Sequence, residues 1–184
     1  MIIQGGTGNG YAAKVNSENM LMVSAAVQTM IGHTSLDEGE AYSLPFTQVS
    51  AGGASDCVLY IRNDSESHLI LSQMWITCSL ADEIYAKMGV IGTAAGGTAP
   101  VPVNLNTGSA RLADCTTRQH TAITGLTGGN TIFRSYFTAD AISQRLYFDD
   151  AYVLQKNGTW ALFVTTAAAN TLRGQIMFYF HDET

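Results

Sequence analysis

From Tyr42 onward the chain is a series of short apolar runs separated by clusters of Gly, Asn, Asp and Ser. The runs are rich in Val, Ile, Tyr, Phe, Trp and Thr, the residues that fit a pleated, half-buried surface. Such runs with turn residues between them are typical of antiparallel strands in a sandwich or barrel. The predicted strands are 42–49, 57–62, 69–79, 83–90, 101–106, 131–137, 144–155, 159–165 and 173–181. They are enough for two packed sheets, and no alternation of strand and helix favours a parallel α/β sheet.

The separators predict how the strands are connected. Asn63-Asp64-Ser65-Glu66 suits a hairpin loop, and Lys156-Asn157-Gly158-Thr159 predicts a type I′ hairpin, in which both central residues take positive φ. The interval 107–130 is too long for a tight turn, so it predicts a crossover between sheets or an extended surface loop. Crossovers are typical of Greek-key sandwiches and jelly rolls. We therefore predict an all-β fold, an antiparallel, jelly-roll-like β-sandwich over residues 42–184.

Residues 1–41 differ from the body and predict an extended N-terminal arm with a linker. Apolar residues alternate along this segment, as they do in a strand: Leu21, Val23, Ala25, Val27 and Ile31. A short helix between Met20 and Ile31 fits the same stretch and stays open as an alternative. The polar stretch 33–39 predicts the linker before the compact body.

Charge and composition narrow the classes of partner. Charged residues make up 13% of the chain, about half the usual share of roughly 25%, so much of the exterior is neutral and suits contact with other protein. The formal net charge is -6, and the nine Lys and Arg residues are scattered singly, which argues against nucleic acid and anionic membrane as partners. No stretch has the roughly 20 apolar residues of a membrane span, and no secretory pattern opens the chain, so maturation in a cytoplasm is expected.

Residues that could carry catalysis or bind metal lack the spacing that such sites need. Cys57, Cys78 and Cys115 form no C-x-x-C pair, so reduced, mostly buried thiols are expected. The histidines occur at no short metal-binding spacing: His33, His68, His120 and His181. The carboxylates at 37–40 and 149–150 do not follow a calcium-loop pattern, and the glycine cluster at 5–10 lacks the flanking strand and helix of a dinucleotide site. We therefore expect no catalytic residue, no cofactor and no metal.

The two tryptophans raise the question of sugar binding, because exposed rings can stack on carbohydrate. Trp75 lies on an almost wholly apolar strand, which favours a place in the core. Trp160 follows a tight turn and is expected to cover the end of the sandwich.

Four stretches carry a resemblance to a known group: GTGNGYAAKVNSENMLMV near the start, the linker ending 38–42, the segment 102–109, and QKNGTWALFV followed by GQIMFYFHDE. Their order resembles tailed-phage virion structural proteins, a group that includes head decoration (cement) proteins and other small accessory subunits. The resemblance implies a jelly-roll-like body that docks on a capsid, with an N-terminal arm that reaches a neighbouring subunit. It also implies that the partners are the major capsid protein or other virion subunits and copies of the chain itself, a trimer by analogy. The implied location is the capsid surface of a virion assembled in the host cytoplasm.

These observations together predict a non-enzymatic decoration protein that stabilises the head through inter-subunit contacts. An arm strand added to another subunit's sheet buries alternate side chains, so the predicted interface residues are Tyr11, Leu21, Val23 and Val27. The alternative is a tail or fibre-tip module that binds host surface glycan or protein. A third possibility, a glycan depolymerase, requires carboxylates that converge in a cleft.

Overall fold

A computed structural model describes residues 3–4, 10–11, 29–49, 55–139, 143–165 and 169–182. The strands in this part of the chain are β1 (Ile3–Gln4), β2 (Gly10–Tyr11), β3 (Ala41–Val49), β4 (Asp56–Asn63), β5 (His68–Cys78), β6 (Asp82–Ala95), β7 (Val103–Asn104), β8 (Cys115–Gln119), β9 (Thr124–Phe137), β10 (Gln144–Leu154), β11 (Thr159–Val164) and β12 (Thr171–His181). Helix α1 (Met30–His33) continues into a π-helical turn, Thr34–Glu38. None of the helices in the described part of the chain has the length and apolar character needed to cross a bilayer.

Ten of these strands form two five-stranded antiparallel sheets, and β1 pairs separately with β2. Sheet one has the order β10-β5-β12-β3-β7, and sheet two has the order β8-β4-β11-β6-β9. The long strands pair in a nested series, β3 with β12, β4 with β11, β5 with β10 and β6 with β9. Nested pairing of this kind, with successive strands in alternate sheets, is the arrangement of a jelly roll. The predicted antiparallel β-sandwich is confirmed.

The core lies between the two sheets, where alternate residues of each strand face inward. On β11, the side chains of Trp160, Leu162 and Val164 belong to this core and are fully buried. On the opposite sheet, the rings of Tyr42 and Phe178 stack with their centres 5.6 Å apart. Burying each such side chain contributes roughly 1.5–3 kcal/mol, so the sandwich is stabilised mainly by this layer. Trp160, which was expected to cover the end of the sandwich, is inside it.

Both predicted hairpins are corners between the sheets. β4 and β5 lie in different sheets, and so do β10 and β11. In the second corner only Asn157 takes positive φ (63°), so the turn closed by the Gly158 N–H and the Gln155 carbonyl at 2.7 Å is not type I′. Asn63 joins the two corners, since its Nδ2 donates to the carbonyls of Ser67 and Leu154, each at 2.8 Å. Turn residues predict a reversal of the chain, but they do not determine which sheet the next strand enters.

The interval 107–130, predicted as a crossover or loop, contains β8 and the first half of β9. This half of β9 pairs with an extension of β6 beyond Val90. The two backbones approach closely there: a Cβ atom added to Gly125, whose φ is +79°, would lie 2.3 Å from the carbonyl oxygen of Thr93. Glycine is therefore needed for the strand pair itself, and it does not mark a loop at this position.

The predicted linker is a helical segment held on the body. Met30–His33 and Thr34–Glu38 are helical, so the strand predicted through Ile31 is wrong at that end, and residues 12–28 lie outside the described part of the chain. Asn106 Nδ2 donates to the carbonyl of Ser35 at 2.9 Å, and Asn104 Nδ2 donates to that of Gly39 at 2.8 Å. The segment 102–109 thus fixes where residues before position 40 meet the sandwich, and the division into arm and body stays a prediction.

Candidate functional site

The predicted interface residues of the arm are only partly within the described chain. Tyr11 lies in β2, where its backbone pairs with that of Ile3. Leu21, Val23 and Val27 lie outside the described residues. The role of these four residues as an interface therefore stays a prediction.

The outer face of sheet one carries a cluster that we call the Trp75 face: Gln73, Trp75, Arg145, Tyr147, Gln175 and Met177. The strand register places these side chains in two rows across β10, β5 and β12. One row runs Arg145, Trp75, Gln175, and the other runs Tyr147, Gln73, Met177. Their side chains are exposed or half-buried. Tyr, Trp and Arg are the residues most enriched at the energetic centres of binding surfaces.

The prediction that Trp75 belongs to the core is wrong, because a bulge reverses the facing of β5. Leu71 pairs with Phe178, and Gln73 pairs with Met177, so Ser72 is an extra residue in this strand. An extra residue shifts the alternation by one position. Leu71 before the bulge and Met74 after it are both in the core, and Trp75 therefore faces outward.

Arg145 organises the Trp75 face. Its guanidinium carbon lies 5.1 Å from the centre of the Trp75 ring and 4.4 Å from that of Tyr147. Its Nε and Nη2 donate to Gln73 Oε1 at 3.0 and 2.5 Å. Both ring contacts are in the range of cation–π interactions, worth roughly 0.5–1 kcal/mol each at exposed sites. The arginine is thus held in one place, and the outward side of the Tyr147 ring stays open, since this residue is 60% exposed.

A cavity of about 280 Å³ lies beside the Trp75 face, between the start of α1 and strand β10. Gln73, Tyr147, Asp149 and Asp150 are among the residues that line it. Asp149 and Asp150 both have positive φ, 49° and 56°, a conformation that costs energy in residues other than glycine and that clusters at functional sites. One carboxylate oxygen of Asp150 is buried with no hydrogen-bond partner among the described residues. Burial, with Asp150 nearby, raises the pKa of Tyr179 to about 12.

A second exposed surface, which we call the apolar loop, consists of Val101, Val103, Leu105 and Leu112. Val101 is 73% exposed and Leu112 is 83% exposed, and both border a groove of about 420 Å³. The sequence has no charged residue from Gly89 to Ala110. The Thr117 hydroxyl donates to the carbonyl of Pro100 at 2.5 Å, which ties this loop to β8. Its exposed side chains are therefore presented by an anchored backbone.

The cysteines and histidines of the described chain do not form a reactive or metal-binding cluster. Cys57 and Cys78 are buried, Cys115 borders the groove, and burial raises the pKa of each thiol to about 12. His33 lies 3.2 Å from the Asp37 carboxylate. His68 and His181 are cross-strand neighbours, a proximity that their separation in sequence conceals. Within the described ranges, no three His, Cys, Asp or Glu side chains are placed to hold a metal ion.

Comparison with models of protein families, with curated proteins and with solved structures finds no match for this chain.

Proposed function

We propose that this chain is a non-enzymatic structural subunit of a phage virion, a decoration protein that binds the capsid surface and stabilises the head through inter-subunit contacts. The observation that carries the proposal is the apolar loop, where exposed Val and Leu side chains sit on an anchored backbone and all but Leu112 lie in a stretch without charge. Exposed apolar patches on soluble proteins mark interaction surfaces. The resemblance of four sequence stretches to virion structural proteins supports the particle as the setting.

The jelly-roll fold agrees with this proposal but does not carry it, since the same architecture serves many functions. The segment 102–109 lends support of another kind. It belongs to the stretches on which the resemblance rests, and it holds residues 35–39 through Asn104 and Asn106. A decoration protein that attaches through an N-terminal arm needs a fixed point where that arm meets its body.

Labelling of intact particles tests the proposal. An antibody raised against the chain is applied to particles purified from the bacterial host, and gold-conjugated second antibody is located by electron microscopy. Labels over the head are expected. The proposal would be refuted if quantitative mass spectrometry found no copy of the chain in purified particles. Gold labels only at the tail tip would favour the second function below.

Substitutions in the apolar loop test which surface makes the contact. Leu112→Asp places a charge in the expected contact, and we expect the number of copies per particle to fall at least about tenfold, since an unpaired buried charge is costly. Ile91→Asp is the matched control, because Ile91 is also exposed, at 66%, but lies on β6 outside the loop. Equal occupancy for the two variants would show that the apolar loop is not the contact.

Deleting residues 1–41 tests the predicted arm. Because an added strand is bound by main-chain hydrogen bonds along its length, its removal is expected to abolish retention on particles. Circular dichroism of the truncated chain must still show β-structure for the result to count. Undiminished occupancy with a folded body would rule out the arm, including Tyr11, Leu21, Val23 and Val27, as the main attachment.

Light scattering on the full chain tests the expected homo-oligomer.

The second candidate is a tail or fibre-tip module that binds host surface glycan or protein. The Trp75 face favours it, because aromatic rings beside amide and guanidinium groups suit both kinds of ligand.

A further inference from the structure

We infer that the cavity beside the Trp75 face is a saccharide site that binds one neutral pyranose ring, with Tyr147 as the stacking platform and the Asp149–Asp150 pair as hydroxyl acceptors. The inference deepens the second candidate function and does not depend on where the chain lies in a particle. It rests on four features of the cavity: an open ring, carboxylate acceptors, size and charge.

The open ring is that of Tyr147. A pyranose has one face made largely of C–H groups, which packs against an aromatic ring and loses little hydration of its hydroxyls. Tyr147 lines the cavity and is 60% exposed. Arg145 stacks on the ring and is itself held by Gln73, so the tyrosine is fixed before a ligand arrives. A preorganised platform lowers the entropy that binding costs.

The acceptors are the two carboxylates at the bulge of β10. Adjacent ring hydroxyls donate well to a carboxylate, because its two oxygens can each accept a hydrogen bond. Asp149 and Asp150 both line the cavity, and their consecutive positive φ angles set them at the place where β10 departs from regular pairing. One oxygen of Asp150 is buried and has no partner among the described residues. A buried polar group without a partner is uncommon, so this oxygen marks an irregular end of the strand. The exposed Asp149 carboxylate is the acceptor that ring hydroxyls in the cavity would reach directly.

Size and charge restrict the class of ligand. A volume of about 280 Å³ is at the lower end of ligand cavities and suits a single sugar ring better than a helix or a folded protein loop. The lining has two carboxylates and one guanidinium, so its net charge disfavours acidic sugars and phosphate esters. Neutral hexoses and N-acetylhexosamines remain as the matching class.

The test is a titration of the isolated full chain with D-glucose, D-galactose, D-mannose and N-acetyl-D-glucosamine. Tryptophan fluorescence is a suitable signal, because the Trp75 ring is in contact with Arg145, which lines the cavity, and Trp160 is fully buried elsewhere. Each sugar is added to about 50 mM, enough to saturate a site with a Kd of about 1–5 mM. A saturable change with at least one of the four sugars is expected, and its absence with all four would overturn the inference.

Three variants locate the response. Tyr147→Ala is expected to weaken binding about fivefold to tenfold by removing the platform. Asp150→Asn is expected to weaken binding to a similar extent, because an amide oxygen accepts hydrogen bonds less strongly than a carboxylate. Asn tolerates positive φ, so this change should leave the backbone in place. Tyr136→Ala is the matched control, because Tyr136 is 66% exposed on β9 in the other sheet. Equal affinity for the Tyr147→Ala and Tyr136→Ala variants would overturn the site. A fluorescence change that follows protein concentration and not sugar would identify the face as a contact between copies and would overturn it too.

The titration separates this inference from the decoration proposal, because it uses no particles. Sugar binding can fail while gold labels cover the head, and it can succeed on a chain that proves absent from particles.

Discussion

The two sheets of the sandwich have similar inner faces and different outer faces. On sheet two, Cys57, Tyr60 and Ala161 are covered by Val90 and Ile123, which come from the extended β6–β9 pair and the loop before β9. On the part of sheet one that carries the Trp75 face, Trp75, Arg145 and Tyr147 have no comparable cover among the described residues. One face has thus been closed by the chain's own strands, and the other displays side chains suited to a ligand.

The difference shows that exposure of aromatic residues here is selective. Sheet two also has aromatic side chains on its outer side, but Tyr85 stacks on Phe163 with ring centres 5.1 Å apart, and Lys87 and Arg134 lie over these rings. Tyr85 is buried by this arrangement. Outer aromatic rings of this chain can therefore be buried against its own side chains, as Tyr85 is, whereas Tyr147 on the Trp75 face and Tyr136 on the edge strand β9 are exposed, at 60% and 66%.

The sharpest way to break the comparison is to remove a large side chain from each face. Tyr60→Ala on the covered face should lower the free energy of unfolding by about 3–5 kcal/mol, because it leaves a cavity under Val90 and Ile123. Tyr147→Ala on the open face should lower it by no more than about 1 kcal/mol, the upper value of its contact with Arg145. Guanidinium unfolding followed by circular dichroism measures both. Similar losses would mean that the faces do not differ as described.

A second test concerns the polar network that joins the two sheets at one end. Asn170 Nδ2 donates to the Asp82 carboxylate at 2.9 Å, and Asn170 Oδ1 accepts from the backbone N–H of Leu80 at 3.1 Å. Asn170→Ala removes these bonds together with those to the Ser79 hydroxyl and the Leu80 carbonyl, so a loss of about 2–3 kcal/mol is expected. Asn130→Ala, at an exposed position of β9, is the control and should be nearly neutral. An equally mild effect of Asn170→Ala in urea titrations would contradict this assignment.

The pH dependence of stability tests whether the Cys57 thiol is buried on the covered face. Burial raises the pKa of Cys57 to about 12, whereas an unfolded thiol ionises near about 8.5. Above that pH the unfolded chain loses a proton that the folded chain keeps, so this thiol lowers stability by about 1.4 kcal/mol per pH unit until the folded thiol also ionises near pH 12. Below about pH 8.5 the effect is absent.

The change in the free energy of unfolding with pH is measured by guanidinium unfolding between about pH 9 and 11 for the parent chain and for Cys57→Ala. The variant should show a shallower decline, by the contribution of one thiol. Val58→Ala, a change at the neighbouring buried position, should lower stability at every pH and leave the slope unchanged. Parallel curves for the parent and Cys57→Ala would mean that this thiol is not shielded.

The smallest expected effect is on the open face. Arg145→Ala removes the guanidinium from the Trp75 and Tyr147 rings, two exposed contacts that together contribute about 1 kcal/mol, so a loss of stability of about that size is expected. Acrylamide should quench the fluorescence of this variant more strongly, because Trp75 loses its cover. Arg173→Ala, another exposed arginine of sheet one, should leave quenching unchanged. Equal quenching of the two variants would show that Arg145 does not cover Trp75.

Most strands could be predicted from the sequence because alternating apolar residues and turn clusters act locally. All nine predicted runs contain or overlap a strand of the described chain. The segments 115–119 and 124–130 were missed, since their Gly and Thr residues are typical of loops and their pairing with β4 and β6 is determined by distant strands. The corners at Asn63 and Asn157 were mistaken for hairpins for a related reason, because the choice of sheet is a long-range property.

The candidate sites were harder to predict. The Trp75 face combines β5, β10 and β12, which are far apart in sequence, and one extra residue at Ser72 decides that Trp75 points outward. Strict alternation places Trp75 with Leu71, on the side that became the core. The sequence does contain a signal for the apolar loop: an uncharged stretch from Gly89 to Ala110 in which Val101 lies between two prolines and Val103 follows the second.

The nested pairing of strands has a consequence for biosynthesis. β11 and β12 are the last strands of the described chain, and each lies in the middle of its sheet, between strands made much earlier. Sheet two cannot close until residues up to Val164 have left the ribosome, and sheet one cannot close until residues up to His181 have, so the apolar strands already synthesised wait without their central partners. Long-range pairing of this kind folds slowly and exposes intermediates to aggregation. We therefore expect chaperones or low temperature, which protect the chain during the interval between synthesis and closure, to raise the yield of folded protein.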